Sequence, residues 1–199
     1  IPLITAALPV SFIAKREVQG WPVFGLLARL QRSVFVDRTR RQQSTAANRE
    51  IAGRLLAGDA MVLFAEGTSS DGSGVLPFRS ALIGAAHRAL AQSAHASSVT
   101  VQPLSVAYVD MAGLPIARGE RCRVAWYGDT DLLPHLREVL ARGAIDVVVS
   151  FGQPIACSAD ADRKTIARDA ETAVRRMTAA ALRAARPHRA PSQVAEARR

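Results

Sequence analysis

Short apolar runs alternate along this chain with longer segments of helical period. Val10–Lys15, Ser33–Asp37 and Ala60–Phe64 are brief runs of the kind that buried strands make. Between them, Trp21–Gln31 places Trp21, Phe24, Leu27, Ala28 and Gln31 near helical spacing. Thr45–Leu56 carries one stripe of Ile51, Leu55 and Leu56 that Gly58 ends, after a basic polar connection over Thr39–Ser44. A small-residue loop at Ser69–Gly74 precedes a helix expected over Arg79–Leu90. Strands follow at Val99–Tyr108, Arg121–Tyr127 and Ile145–Phe151, with a short helix over Leu132–Leu140 and a long Ala- and Arg-rich helix over Asp162–Ala185. The alternation predicts an α/β fold: a single domain with a mixed, mostly parallel sheet flanked by helices and sites at the strand ends. The pattern predicts a domain over residues 1–186 and a disordered basic tail over 187–199.

The most informative stretch is Met61-Val62-Leu63-Phe64-Ala65-Glu66-Gly67-Thr68-Ser69-Ser70-Asp71-Gly72. An apolar strand ends there at a carboxylate, a glycine and three hydroxyl residues, which is how a buried strand delivers polar groups to a site at its carboxyl end. Gly67 permits close approach of a ligand or backbone, and Thr68, Ser69 and Ser70 can bond oxyanions. A plain structural turn has the same appearance, so the stretch gains meaning only from its company.

Composition narrows the picture. Apolar residues make up 49% of the 199, enough for a sizeable core. Cys122 and Cys157 match no zinc or redox spacing and are expected to be reduced core thiols, in keeping with a cytosolic location. The first residue is Ile1, so the chain is expected to be a piece of a longer or processed protein. No run of 18 uninterrupted apolar residues occurs, and membrane contact by these residues is expected to be peripheral. The net charge of +9 is uneven: residues 15–49 carry eight Lys/Arg against two acids, residues 50–162 eight against twelve, and residues 163–199 ten against three. Basic segments attract anionic lipid, an acidic protein or nucleic acid. Aromatic residues are sparse and no docking motif appears, which argues against nucleic acid as a partner.

Four blocks, in order, carry a family resemblance: Phe12-Ile13-Ala14-Lys15-Arg16-Glu17 followed by Trp21-Pro22 and Gly25; Arg32-Ser33-Val34-Phe35-Val36-Asp37-Arg38; Phe64-Ala65-Glu66-Gly67-Thr68-Ser69-Ser70; and Val101-Gln102-Pro103-Leu104. Together they resemble the lysophospholipid acyltransferase family, of the 1-acylglycerol-3-phosphate acyltransferase type, over roughly residues 1–155. The resemblance implies a glycerolphosphate acyltransferase-like fold. It implies transfer of a fatty acyl group from acyl-CoA or acyl carrier protein to a lysophospholipid hydroxyl, at the cytoplasmic face of an anionic membrane, with no metal or tightly bound cofactor. It places Lys15, Arg38, Glu66, Gly67, Thr68 and Ser69 at the substrate, with Lys15 and Arg38 as countercharges to a phosphate and Glu66 bonding a glycerol hydroxyl or bracing Arg38. Trp21, Pro22, Val23, Phe24, Leu26 and Leu27 form a candidate apolar patch for acyl chains.

Several positions depart from the family pattern. Ala65 replaces a proline, Ser69 replaces an arginine, and Arg32 stands where a glycine is usual. The family's Asn-His-x-Ser-x-x-Asp block, whose histidine is the general base, is absent: none of His87, His95, His135 and His188 has an aspartate five residues later. Ile1-Pro2-Leu3-Ile4 resembles the stretch that follows that block. No catalytic residue is therefore assigned within the chain, and the chain alone is expected to be nearly inactive. Two other readings compete: a lyso-ornithine lipid as acceptor, and a catalytically silent lipid-binding protein.

Overall fold

Parallel pairing organises the first part of the molecule. The structure is a computed structural model that describes residues 2–21, 24–36, 41–84, 98–158 and 160–185. Helix α1 (Pro2–Ala7) leads to strand β1 (Ser11–Lys15), a 3₁₀ turn (Arg16–Gly20), helix α2 (Phe24–Leu30) and strand β2 (Val34–Val36). Helix α3 (Arg41–Leu56) and strand β3 (Met61–Leu63) follow. β1 lies in the middle, parallel to both neighbours: Ile13 pairs with Val34 and Lys15 with Val36 on one side, Ser11 with Met61 and Ile13 with Leu63 on the other. Parallel neighbours need crossover connections, and the helical segments supply them. The basic polar connection expected over Thr39–Ser44 is helical from Arg41 onward. Gly58 ends α3 with φ +87°, and its N–H bonds the Leu55 carbonyl, as a glycine after a helix does.

Two clusters form the core here. Val34, Ala47 and Ile51 are buried together, with Ile13, Val36, Leu55 and Met61 packed against them. Ile83, Cys157, Ile166 and Ala167 form the second, with Leu63 and Phe78 at its side. Leu56, expected in the α3 stripe, is instead 44% exposed. Of the helix expected over Arg79–Leu90, residues 80–84 are described and helical, and they form α4.

The remaining strands pair antiparallel. β4 (Ser98–Val101) pairs with β8 (Ile155–Ser158). β5 (Leu104–Met111) pairs with β6 (Leu114–Pro115) and β7 (Ile145–Phe151). The mixed α/β architecture is as the sequence implied, but among the described residues parallel pairing is confined to β1–β3. The β5–β6 connection, Ala112 and Gly113, has positive φ at both residues (+52° and +79°), which makes a two-residue hairpin and excludes a crossover. The single strand expected over Val99–Tyr108 is two strands, because Pro103 has no N–H to donate and interrupts the ladder. Arg121–Tyr127, expected as a strand, begins inside a 3₁₀ helix (Arg118–Arg123). Its buried positions Arg121, Val124 and Ala125 recur at three and four residues, a turn-like period that a short apolar stretch also mimics in alternation.

Helix α5 (Leu132–Ala141) and helix α6 (Arg163–Ala184) complete the described elements. Asp162 caps α6: its carboxylate accepts the N–H groups of Lys164 and Thr165 and the Thr165 hydroxyl. The chain divides into two compact units. One comprises Ile1–Thr68, Leu76–Pro103 and Gln153–Thr172, the other Ser69–Val75, Leu104–Gly152 and Ala173–Arg199. In the second, Ala107 and Val109 of β5 are buried, and the Ser105 hydroxyl bonds that of Thr178 at 2.7 Å. Cys157 is buried as expected, and burial pushes its thiol pKa up, whereas Cys122 is exposed rather than core. The tail expected over 187–199 lies outside the described residues.

Candidate functional site

The strand order β2-β1-β3 puts a topological switch beside β1, and ligands of open α/β sheets bind outside the carboxyl ends of strands at such a switch. Three of the four sequence blocks end at that edge. β1 closes with Lys15, level with Val36 at the end of β2. Because Ile13 already faces Leu63, the end of β1 runs on beside the segment that leaves β3 toward Glu66. Only the backbone of Lys15 is described, and Arg38, two residues beyond β2, lies outside the described residues.

The turn after β3 is held by its own groups. The Gly67 N–H donates to the Phe64 carbonyl at 3.1 Å, and the Arg79 N–H donates to the Ala65 carbonyl at 2.9 Å. Gly67 is buried and has φ +73°, a conformation that a side chain would strain, so glycine is required there. The Glu66 carboxylate accepts the Leu76 N–H at 2.7 Å. Further on, the Phe78 N–H donates to the Glu171 carboxylate of α6 at 2.9 Å. Two acidic side chains thus bind the backbone of the segment that returns toward α4. Glu66 holds the backbone of this segment in the structure, the structural use that a plain turn makes of such a residue. Phe64 stacks on the buried Phe12 ring, with centroids 6.1 Å apart, which anchors the start of the turn to β1.

Thr68 and Ser69 both expose their side chains, and Ser69 opens the segment 69–75 that belongs to the second unit. There the Asp71 carboxylate accepts the Ser73 N–H at 2.9 Å. The structure therefore sets Glu66, Gly67 and Thr68 just past the strand that pairs with β1, in a turn where Thr68 and Ser69 are exposed and the Ser70 hydroxyl bonds the Gly74 carbonyl. Among the described residues no group of His, Cys, Asp and Glu could hold a metal ion. Of the four histidines, His135 is described: its Nε2 bonds the Ala125 carbonyl at 3.1 Å, a structural use.

Two features were not legible beforehand. Arg32, in the place of the usual glycine, adopts φ +54°. The glycine of the family pattern is thereby explained, since this left-handed conformation is costly for other residues. At the opposite edge of the same sheet, the Arg54 guanidinium bonds the Arg32 carbonyl, the Ser11 hydroxyl at 2.6 Å and the Asp59 carboxylate at 2.7 Å. The Arg54 hydrogen bond holds the Asp59 carboxyl below its usual range. One side chain thus ties the approaches to all three parallel strands.

Comparison with known proteins adds an independent line. A family model described as Acyltransferase matches residues 1–107. Lyso-ornithine lipid O-acyltransferase of Brucella abortus (strain 2308) is 52% identical over 182 residues, covering 92% of this chain and 68% of that protein. 1-Acyl-sn-glycerol-3-phosphate acyltransferase of Neisseria gonorrhoeae is 30% identical over 180 residues, covering 88% of this chain and 64% of that protein. The chain thus spans about two thirds of the length of these relatives. The crystal structure of the 1-acyl-sn-glycerophosphate (LPA) acyltransferase from Thermotoga maritima shares the fold, with a TM-score of 0.54 at 20% identity, over 86% of this chain and 56% of that one.

Proposed function

Because the chain belongs to the Acyltransferase family, we propose that it serves the transfer of a fatty acyl group from a thioester to the hydroxyl of a lysolipid. The observation that supports this reading is the parallel register of β1 with β2 and β3, after which the Glu66-Gly67-Thr68 turn leaves the carboxyl edge of the sheet. In the reaction the acceptor oxygen attacks the thioester carbonyl, an ester forms, the thiol leaves, and the hydroxyl proton passes to a base. The His/Asp pair that would supply the base is not among these 199 residues. The chain contributes substrate-binding elements, and none of its described residues is assigned as the base. The donor is acyl-CoA or acyl carrier protein. Lys15 and Arg38 supply positive charge to the acceptor headgroup, and the Thr68 and Ser69 hydroxyls lie on its path.

A lyso-ornithine lipid is the favoured acceptor. The relative of that name is the more similar of the two, and Ser69 stands where an arginine would offer a phosphate a second guanidinium. Lysophosphatidate is the second reading, favoured by the Neisseria relative. The test joins a segment carrying Asn-His-x-Ser-x-x-Asp ahead of Ile1 and compares it with the 199-residue chain on both acceptors. A positioned base contributes about 10²–10⁴ in rate, so the chain alone should be slower by that order; equal turnover by both overturns the placement of the base. Arg38→Ala in the joined protein should raise the acceptor KM far more than the donor KM, and Arg38→Lys should restore only part of it. Equal effects on both substrates would mean a structural role for Arg38.

A further inference from the structure

Helix α2 is turned inside out relative to an ordinary surface helix. Among the residues of α2 whose burial is described, the buried one is Gly25, where an added Cβ would stand 2.4 Å from the Gln19 carbonyl oxygen. The helix therefore packs on the 3₁₀ turn through bare backbone. Its leucines point away: Leu26 is 62% exposed, Leu27 46% and Leu30 70%. At about 100° per residue these three fall within one arc of about 100°. An amphipathic helix normally buries that arc.

At the end of the helix, Leu30 borders an open cleft of about 310 Å³ of mixed lining, with Leu8, Pro9 and Val10 beside Arg32, Arg54 and Asp59. The surface is flanked by positive charge. Arg29 is exposed on α2, and the Arg32 side chain is 73% exposed, its guanidinium 3.8 Å from Asp59. The wider segment, residues 15–49, carries eight Lys/Arg against two acids. An apolar arc rimmed by arginines is complementary to a layer with apolar chains beneath anionic headgroups. With seven residues, α2 is far too short to span such a layer, and no helix among the described residues is long and apolar enough to cross a membrane.

We infer that the Leu26, Leu27 and Leu30 face of α2, with Arg29 and Arg32 at its rim, docks the protein on the surface of an anionic phospholipid bilayer. This goes beyond the proposed transfer reaction, since it assigns an interaction surface and no step of the chemistry. α2 follows the end of β1 after the 3₁₀ turn Arg16–Gly20.

The test measures co-sedimentation with phosphatidylcholine vesicles, with and without phosphatidylglycerol, in the absence of thioester and acceptor. Its result is therefore independent of whether transfer occurs. The chain should bind the anionic vesicles. L26S/L30S, which changes two exposed side chains, should keep the circular dichroism spectrum and lose binding by about tenfold or more, since each buried leucine contributes on that scale. R29Q/R32Q should lose the preference for anionic vesicles. Unchanged binding by a folded L26S/L30S overturns the inference. So does a lipid-free dimer that L26S/L30S converts to monomer, which would give this face to a second copy of the chain. A W126F variant leaves Trp21, beside α2, as the single tryptophan. Brominated lipid should quench it, and absence of quenching overturns the inference whatever the leucine variant does.

Discussion

Arg32 has a left-handed backbone and an exposed side chain whose visible partner, Asp59, is 3.8 Å away. The conformation costs a non-glycine residue about 1–2 kcal/mol, and an ion pair this exposed and this long returns little of it. Glycine loses more freedom on folding, which offsets part of the relief. Arg32→Gly is therefore expected to stabilise the protein by about 0.5 kcal/mol, seen as a higher urea midpoint at unchanged slope. A lower midpoint would mean that the side chain contributes more than the backbone strain costs. Glu66 behaves differently, because its carboxylate satisfies the Leu76 N–H. Glu66→Ala leaves that donor without its acceptor, at a cost of about 1–3 kcal/mol, whereas Glu66→Gln keeps an acceptor oxygen and should retain most of the stability. Equal loss in both variants would show that the charge, and not the hydrogen bond, holds the turn.

At the scale of elements, α2 and α3 pack in two different ways. α3 places Ala47 and Ile51 against Val34 and leaves Leu56 outside, where Gly58 ends the helix. α2 presents backbone instead. Gly25→Ala would drive a Cβ into the Gln19 carbonyl, a backbone atom that cannot swing aside, and overpacking of this sort costs about 1–3 kcal/mol. Its thermal midpoint should fall. Gly53→Ala on α3, where nothing lies within 4 Å of an added Cβ, should leave the midpoint unchanged or raise it. If both variants behave alike, α2 is free to shift, and the close approach does not set its orientation.

Over the whole molecule, charge is concentrated in two stretches of sequence, residues 15–49 and 163–199. On α6 the buried residues Ile166, Ala167, Ala170 and Val174 share one side of the helix, and Arg168, Arg176 and Arg183 are exposed. Exposed charges are screened over about 8 Å at physiological ionic strength. Binding to anionic vesicles should accordingly weaken with salt. Arg175→Glu, Arg176→Glu and Arg183→Glu together should reduce it further at low salt, with binding to neutral vesicles unchanged. If the reversed protein, still folded, binds anionic vesicles as before, the charge of α6 is only a solvated face.

The order and period of apolar positions determined the alternation of strands and helices, and the string from Met61 to Gly72 marked the candidate site, because burial of a strand and exposure of its terminal turn are both written locally. The family resemblance was legible for the same reason: it lies in short blocks whose residues serve strand ends. What only the tertiary structure decided are properties that depend on partners distant in sequence. Glu66 meets Leu76, Glu171 meets Phe78, and Arg54 meets Ser11 and Arg32. No spacing rule joins such pairs. The split at Pro103 and the 3₁₀ turn at Arg118–Arg123 escaped the pattern because a short apolar run fits either period until its hydrogen-bond partners are known. The outward leucines of α2 were hidden for a related reason. Helical spacing shows which residues share a face, whereas the close backbone contact at Gly25 selects which face is buried.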